Sequence, residues 1–389
     1  MKKFDLDEIR FYHCFRTLCI TEKTINMDHQ SNSSIQWKQT ASLLALYASV
    51  IIGWIAYHRY QPALLDTFDM TEFEPLLIWA QAIILILTPP LAGYLGDKYR
   101  DRFGNRLRII TLGVSFAAMI FMTVAFTLIV NPPQSFVLYA LPILVILWLF
   151  AMSLFTSPAI STIEIFSPSS QLPITVAALT IVSDLLYSLE PVIVSIIDFL
   201  GGAATFAVGG IIVSISGYLL RKNSLQLTAN GKEERPDDFK PKSNMFKVIL
   251  LGVGMGLFSG IIIEVFPEYL NKLESVVGIS GQWISSIVLV LTAIFSIIIS
   301  RRVSKDNIIK LLVLGLIFAA ISTIGVFTIS SNAVVLILLA VFAIFYAMVN
   351  VTALPLALQN TSVKEKVFGV GVFFCGFEIP NSVIDVMLI

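Results

Sequence analysis

An all-α protein that crosses a membrane many times is the fold class this sequence predicts, and three observations predict it. Of its 389 residues 56% are hydrophobic and only 13% are charged. A soluble chain carries about 25% charged residues and could not cover its surface with so few. The apolar residues come in continuous runs of roughly 20, the length at which a helix spans ~30 Å of hydrocarbon. Those runs do not alternate with period two, which argues against a β-barrel and leaves helices to satisfy the backbone in lipid.

Taken in order, residues 1–38 are polar and mixed in charge, with Phe4, Ile9, Phe11, Phe15 and Leu18 scattered among them before the tract HQSNSSIQ. They read as a cytoplasmic tail, and Met27 offers an alternative start. No short apolar core with a small-residue cleavage site occurs there, so the first apolar helix acts as its own insertion signal. Six spans follow within a first half, 39–220, at about Ala41–Tyr57, Phe73–Gly96, Ile109–Val130, Phe136–Ile160, Leu172–Ile197 and Gly201–Leu220. Residues 221–247 are the one long hydrophilic stretch between spans and read as a cytoplasmic linker. The second half, 248–389, holds five: Val248–Val265, Trp283–Ser300, Ile308–Ile329, Ala333–Ala353 and Phe368–Ile389.

With eleven spans and a cytoplasmic N-terminus, 24 of the 26 Lys and Arg residues fall on the cytoplasmic side, leaving Arg59 and Lys272 outside. That asymmetry is what the positive-inside rule requires of short loops. Asp66, Asp69, Glu72 and Glu74 in the first external loop, with Glu268 and Glu274 after the seventh span, read as a solvated acidic face.

The densest charge lies in GYLGDKYRDRFGNRLRII, Gly93 to Ile110, where Asp97, Lys98, Arg100, Asp101, Arg102, Arg106 and Arg108 sit between two apolar runs. A weaker basic loop, Arg301 to Asp306, follows the eighth span as this one follows the second. Pro158 and Pro355 also correspond, each near the cytoplasmic end of its span, where a missing N–H permits a bend. Six spans, a linker and five more therefore read as a duplicated unit, and parallel repeats of this kind are a transporter architecture with its site between the halves.

The loop resembles the signature motif of the major facilitator superfamily, with Gly93, Asp97, Lys98, Gly104 and Arg106 in the motif positions. Its longer gap, with Arg102 two residues before Gly104, is similar to the form in sucrose and related sugar-cation symporters. It departs from them after the glycine, where Asn105, Arg106, Leu107 and Arg108 stand in place of consecutive arginines and a proline. The resemblance implies two six-helix halves and alternating access, with Asp97 in a cytoplasmic gate, where it is placed to accept hydrogen bonds from Arg102, Arg106 or a neighbouring helix terminus. It also implies twelve spans, so the expectation is that the last helix is missing, by truncation or loss. From the same resemblance the first, fourth, seventh and tenth spans line the cavity. They offer Tyr47, Trp54 and Tyr57, then Trp148, Ser153 and Thr156, then Glu264, then Tyr346, Asn350 and Thr352.

Ionisable residues inside spans are costly and so are functional candidates. Asp184 in the fifth span and Glu378 in the eleventh lie at comparable depth in the two halves and are the candidates for binding and releasing a proton. Glu190, Glu264 and Asp385 lie nearer the outer ends, where solvation accounts for them; His58 closes the first span outside.

Cys14, Cys19 and Cys375 give no disulfide framework or zinc spacing, and no catalytic or phosphate-binding constellation occurs in a credible context. The expected function is secondary active transport of a small organic solute, with sugar the first reading, driven by a proton gradient without cofactor or metal. The expected setting is a monomer in the plasma or inner membrane that binds no nucleic acid. A drug or metabolite exporter, an inactive remnant and a transporter-like sensor are the alternatives.

Overall fold

A computed structural model describes residues 34–130, 134–228 and 243–387. The tail lies almost wholly outside the described residues, as does most of the linker. The helices are α1 (Trp37–Thr67), α2 (Glu74–Phe103), α3 (Leu107–Val130), α4 (Gln134–Ile160), α5 (Leu172–Ser188, resuming as Glu190–Leu200) and α6 (Gly202–Thr228). The second half contributes α7 (Met245–Gly260), α8 (Gly281–Ser300), α9 (Ile308–Thr328), α10 (Asn332–Gln359) and α11 (Lys366–Met387). Among the described residues ten helices are individually long and apolar enough to cross a membrane, and the count reaches eleven when the two bent pieces of α5 are taken as one span.

Local chemistry explains the breaks. The pieces of α5 meet at 61°. Pro191, in the first turn of the second piece, has no N–H to continue the ladder but suits a helix start. In α7 the ladder widens into a π-turn over Ile261–Val265 before helical pieces resume at Phe266. The helix α2 ends where Gly104 turns left-handed at φ 79°, donating its N–H to the Arg100 carbonyl. A Cβ is costly in that conformation, which gives the loop glycine a structural purpose.

The two halves pack alike. In the first, α1 packs on α5, and α4 on both α2 and α3; in the second, α7 packs on α11, and α10 on both α8 and α9. Between the halves α2 packs on α11 and α5 on α8, a pair of contacts that the same rotation interchanges. Apolar side chains such as Phe126, Ile129, Leu87, Ile324 and Ile337 point outward. Lipid receives them at no hydrophobic penalty, so cohesion within the bundle rests on close packing of small residues.

The α2–α11 seam shows such packing. A Cβ on Gly371 would lie 2.2 Å from the Pro89 carbonyl oxygen, and one on Gly93 would lie 2.5 Å from that of Val367. Both obstacles are backbone, so no rotamer change relieves them. Gly371→Leu is expected to lower the thermal unfolding midpoint in detergent by the equivalent of ~1–3 kcal/mol of overpacking. Gly254→Ala, which meets only the tip of Leu316 at 3.0 Å, serves as the tolerated comparison. Equal midpoints for the two variants would contradict a tight seam.

Candidate functional site

Polar groups between the halves gather at three depths. The first lies at the face of the membrane that carries the basic loops. Asp97, only 8% exposed, accepts hydrogen bonds from the backbone N–H of Val367 at 3.2 Å and of Phe368 at 2.8 Å. Those donors belong to the first turn of α11, where N–H groups have no partner inside the helix and the helix dipole favours an anion. Arg100, one turn on from Asp97, approaches the same carboxylate at 3.0 Å and donates to the Val363 and Lys364 carbonyls at 3.0 and 2.8 Å. Lys366 pairs across the halves with Glu164 at 2.9 Å and donates to the Leu358 carbonyl. Arg106 is buried and donates to the carbonyl and hydroxyl oxygens of Ser161 at 3.0 and 2.8 Å.

Of the loop residues singled out from sequence, Asp97, Gly93 and Gly104 thus occupy the seam or shape its end. Arg106 instead ties α3's start to the end of α4. Lys98 and Arg102 are exposed, and Arg102 lies over the ring of Phe103. The cationic partner of Asp97 is Arg100 rather than Arg102.

The second cluster is central. Asp184 on α5 is 3% exposed, and Asn350 on α10 donates to its carboxylate at 3.4 Å. This bond joins one half to the other. The Asn350 Oδ1 has no hydrogen-bond partner in the structure. Tyr346, one turn away on α10, lies near Ser259 and Asn350 and within electrostatic reach of Asp184. Tyr47 on α1 is within reach of both Asp184 and Glu378. Five of the residues proposed from sequence, on α1, α5, α10 and α11, therefore share one region.

Trp54 and Trp148 form a separate aromatic stack. Trp148 is 3% exposed, lies parallel to Tyr57 at 4.9 Å and meets Trp54 and Phe121 edge-on at 5.2 and 5.6 Å. Its indole N–H and the Tyr57 hydroxyl are buried without a hydrogen-bond partner.

The third cluster lies toward the opposite face. Glu190 opens the second piece of α5, Glu264 sits in the π-turn of α7, and Asp385 lies near the end of α11. Glu190 and Glu264 are within electrostatic reach of each other, and so are Glu264 and Asp385. Gln81 on α2 donates to Asp385 at 3.1 Å, and His58 lies within reach of it. These acids are half-buried between helices of both halves. Two sequence signals pointed to them: the Glu190-Pro191 pair within a span, and the recurrence of acids on three different spans. Among the described residues no group of His, Cys, Asp and Glu is placed to hold a metal ion.

Comparison with known proteins follows the same outline. The sequence pattern of the Major Facilitator Superfamily matches residues 43–383. No curated protein matches the chain by sequence. Among solved structures, a bacterial homologue of the iron transporter ferroportin in its outward-facing state is similar with a TM-score of 0.67 at 14% identity, over 90% of this chain and 91% of that one. The human organic anion transporter MFSD10 gives 0.63 at 12% identity, over 90% and 92%. The proton:xylose symporter XylE, bound to 6-bromo-6-deoxy-D-glucose, gives 0.62 at 16% identity, over 92% and 89%.

Proposed function

The chain belongs to the major facilitator superfamily of multi-pass membrane transporters, and on that premise we propose that it is a secondary transporter that moves a small polar organic solute by alternating access, coupled to protons. The observation that carries the coupling is the bond between Asp184 of one half and Asn350 of the other. An ionised Asp184 only accepts, and takes the Asn350 N–H. A protonated Asp184 can donate, and the free Asn350 Oδ1 is an acceptor within a simple amide rotation. Proton gain and loss thereby change a contact between the two bodies that must move. Glu378, at comparable depth on α11 and within reach of Tyr47, is the second proton carrier.

At the basic face, which we read as cytoplasmic, Asp97 holds the first turn of α11 against α2, with Arg100 and the Lys366–Glu164 pair alongside. Opening on that side breaks these charge-assisted bonds; closing remakes them. Tyr47, Tyr346 and Asn350 supply rings, hydroxyls and an amide, a lining that suits a polar solute. Sugar is the first reading, supported by that lining and by the spacing of the Gly93–Arg106 loop. An exported drug or metabolite bearing a positive charge is the second. It is favoured by the absence of any Lys or Arg from residues 109–220 and 311–363, which supply α5 and α10.

The test is uptake into proteoliposomes, with labelled solutes presented with and without an imposed proton gradient. Accumulation is expected only with the gradient. Equal movement with and without it would remove proton coupling, and movement of none of the panel would remove the solute classes presented.

A further inference from the structure

Between the bend of α5, the π-turn of α7 and the first turns of α8 lies an open recess of about 10 Å³, room for one water-sized group. Tyr187, Glu190, Ile262, Pro267, Gln282 and Ser285 are among the residues that line it. Two features of this recess remain unexplained by the proton pathway. Ser285 is 3% exposed, yet its hydroxyl has no hydrogen-bond partner in the structure. A buried hydroxyl left unpaired costs about 1–3 kcal/mol, so a ligand that met it would recover that loss. Glu190 lines the same recess, with Glu264 within electrostatic reach and no Lys or Arg on either helical piece of α5 or on α8. The 61° bend of α5 and the π-turn of α7 border this place. A π-turn inserted in a helix frequently marks a functional position.

We infer that this recess binds the protonated amine of the transported solute, with Glu190 as its counter-charge and the Ser285 hydroxyl as a second acceptor. The recess is narrow, so it takes the ammonium group while the rest of the solute extends toward the central cluster. The neighbouring carboxylates disfavour an anion, and a neutral solute offers Glu190 no counter-charge. The inference rests on the transporter reading and goes beyond it by naming the charge of the solute.

The test compares D-glucosamine with D-glucose, which differ at one position by an amine in place of a hydroxyl. Binding is followed by thermal stabilisation of the purified full-length protein, and transport by uptake into proteoliposomes. Glucosamine is expected to stabilise the protein, and glucose to do so at least tenfold more weakly in concentration. Glu190→Gln and Ser285→Ala should each weaken glucosamine binding at least tenfold. Ser285→Ala should leave the unliganded unfolding midpoint unchanged or raised, because it deletes an unpaired buried hydroxyl. A merely structural Ser285 would instead lower that midpoint and leave binding unchanged. Gradient-driven uptake of glucose that Glu190→Gln leaves unaltered would overturn the amine site while preserving the transporter reading. Stabilisation by neither sugar would also overturn it.

Discussion

Replacing Asp97 with Asn should shift the protein toward the state open at the basic face by about a hundredfold and slow net transport at least tenfold. The carboxylate accepts from two N–H groups of α11, one on each oxygen, and sits beside Arg100. An amide retains one acceptor and turns an NH₂ toward the second N–H. Hydrogen bonds to a charged group contribute about 1.5–3 kcal/mol each. Loss of one such bond and of the Arg100 attraction reaches about 3 kcal/mol, which as a bias between two conformations is roughly 150-fold. Labelling of single cysteines at the basic end of the seam reads the shift. Unchanged labelling together with unchanged transport would show that Asp97 serves only to orient the loop.

Replacing Asp184 and Glu378, the two proposed proton carriers, should separate movement from accumulation. In Asp184→Asn and Glu378→Gln neither position can ionise, so solute exchange without a gradient is expected to persist while gradient-driven accumulation falls at least about tenfold. A tenfold fall corresponds to ~1.4 kcal/mol of lost coupling. Asp184→Asn also places an amide opposite the Asn350 amide, which keeps a hydrogen bond between α5 and α10 and protects the fold. Parallel accumulation and exchange assays in the same vesicles read the difference. A variant that accumulates solute as the unaltered protein does would remove its residue from the coupling.

The spans were legible because apolar length and the placement of Lys and Arg are one-dimensional properties. The bend in α5 was not read, because one continuous apolar run, Leu172–Ile197, concealed it, although Pro191 marks the place. What the chain could not show was partnership across the halves. Asp97 was legible as an acceptor for Arg102, Arg106 or a neighbouring helix terminus, but not for which one; its two hydrogen-bond donors lie some 270 residues away at the start of α11. Arg100, three residues on, was the readable partner, since that spacing puts both side chains on one helix face. Asp184 and Asn350 stood out separately; only the docking of α5 on α10 pairs them. Glu264 and Asp385 read as span-end groups because depth along a single span ignores the facing half, whose Glu190 and Gln81 lie near them. Trp54 and Trp148 looked like platforms for a solute. Period and composition could not distinguish that from the ring stack they form with Tyr57 and Phe121 inside the first half.

Alternating access by rocking of the two halves is tested most directly by distances between spin labels on both faces of a variant lacking Cys14, Cys19 and Cys375. Arg221 and Arg302 report the basic face, and Phe199 and Val276 the opposite one; all four are exposed on helices or loops of different halves. Two distance populations are expected for each pair, with the longer at the basic face accompanied by the shorter at the opposite face. Asp97→Asn and a change from neutral to acidic buffer should both redistribute them. A single distance for each pair, unmoved by the substitution and by pH, would contradict a mechanism in which these halves move against one another.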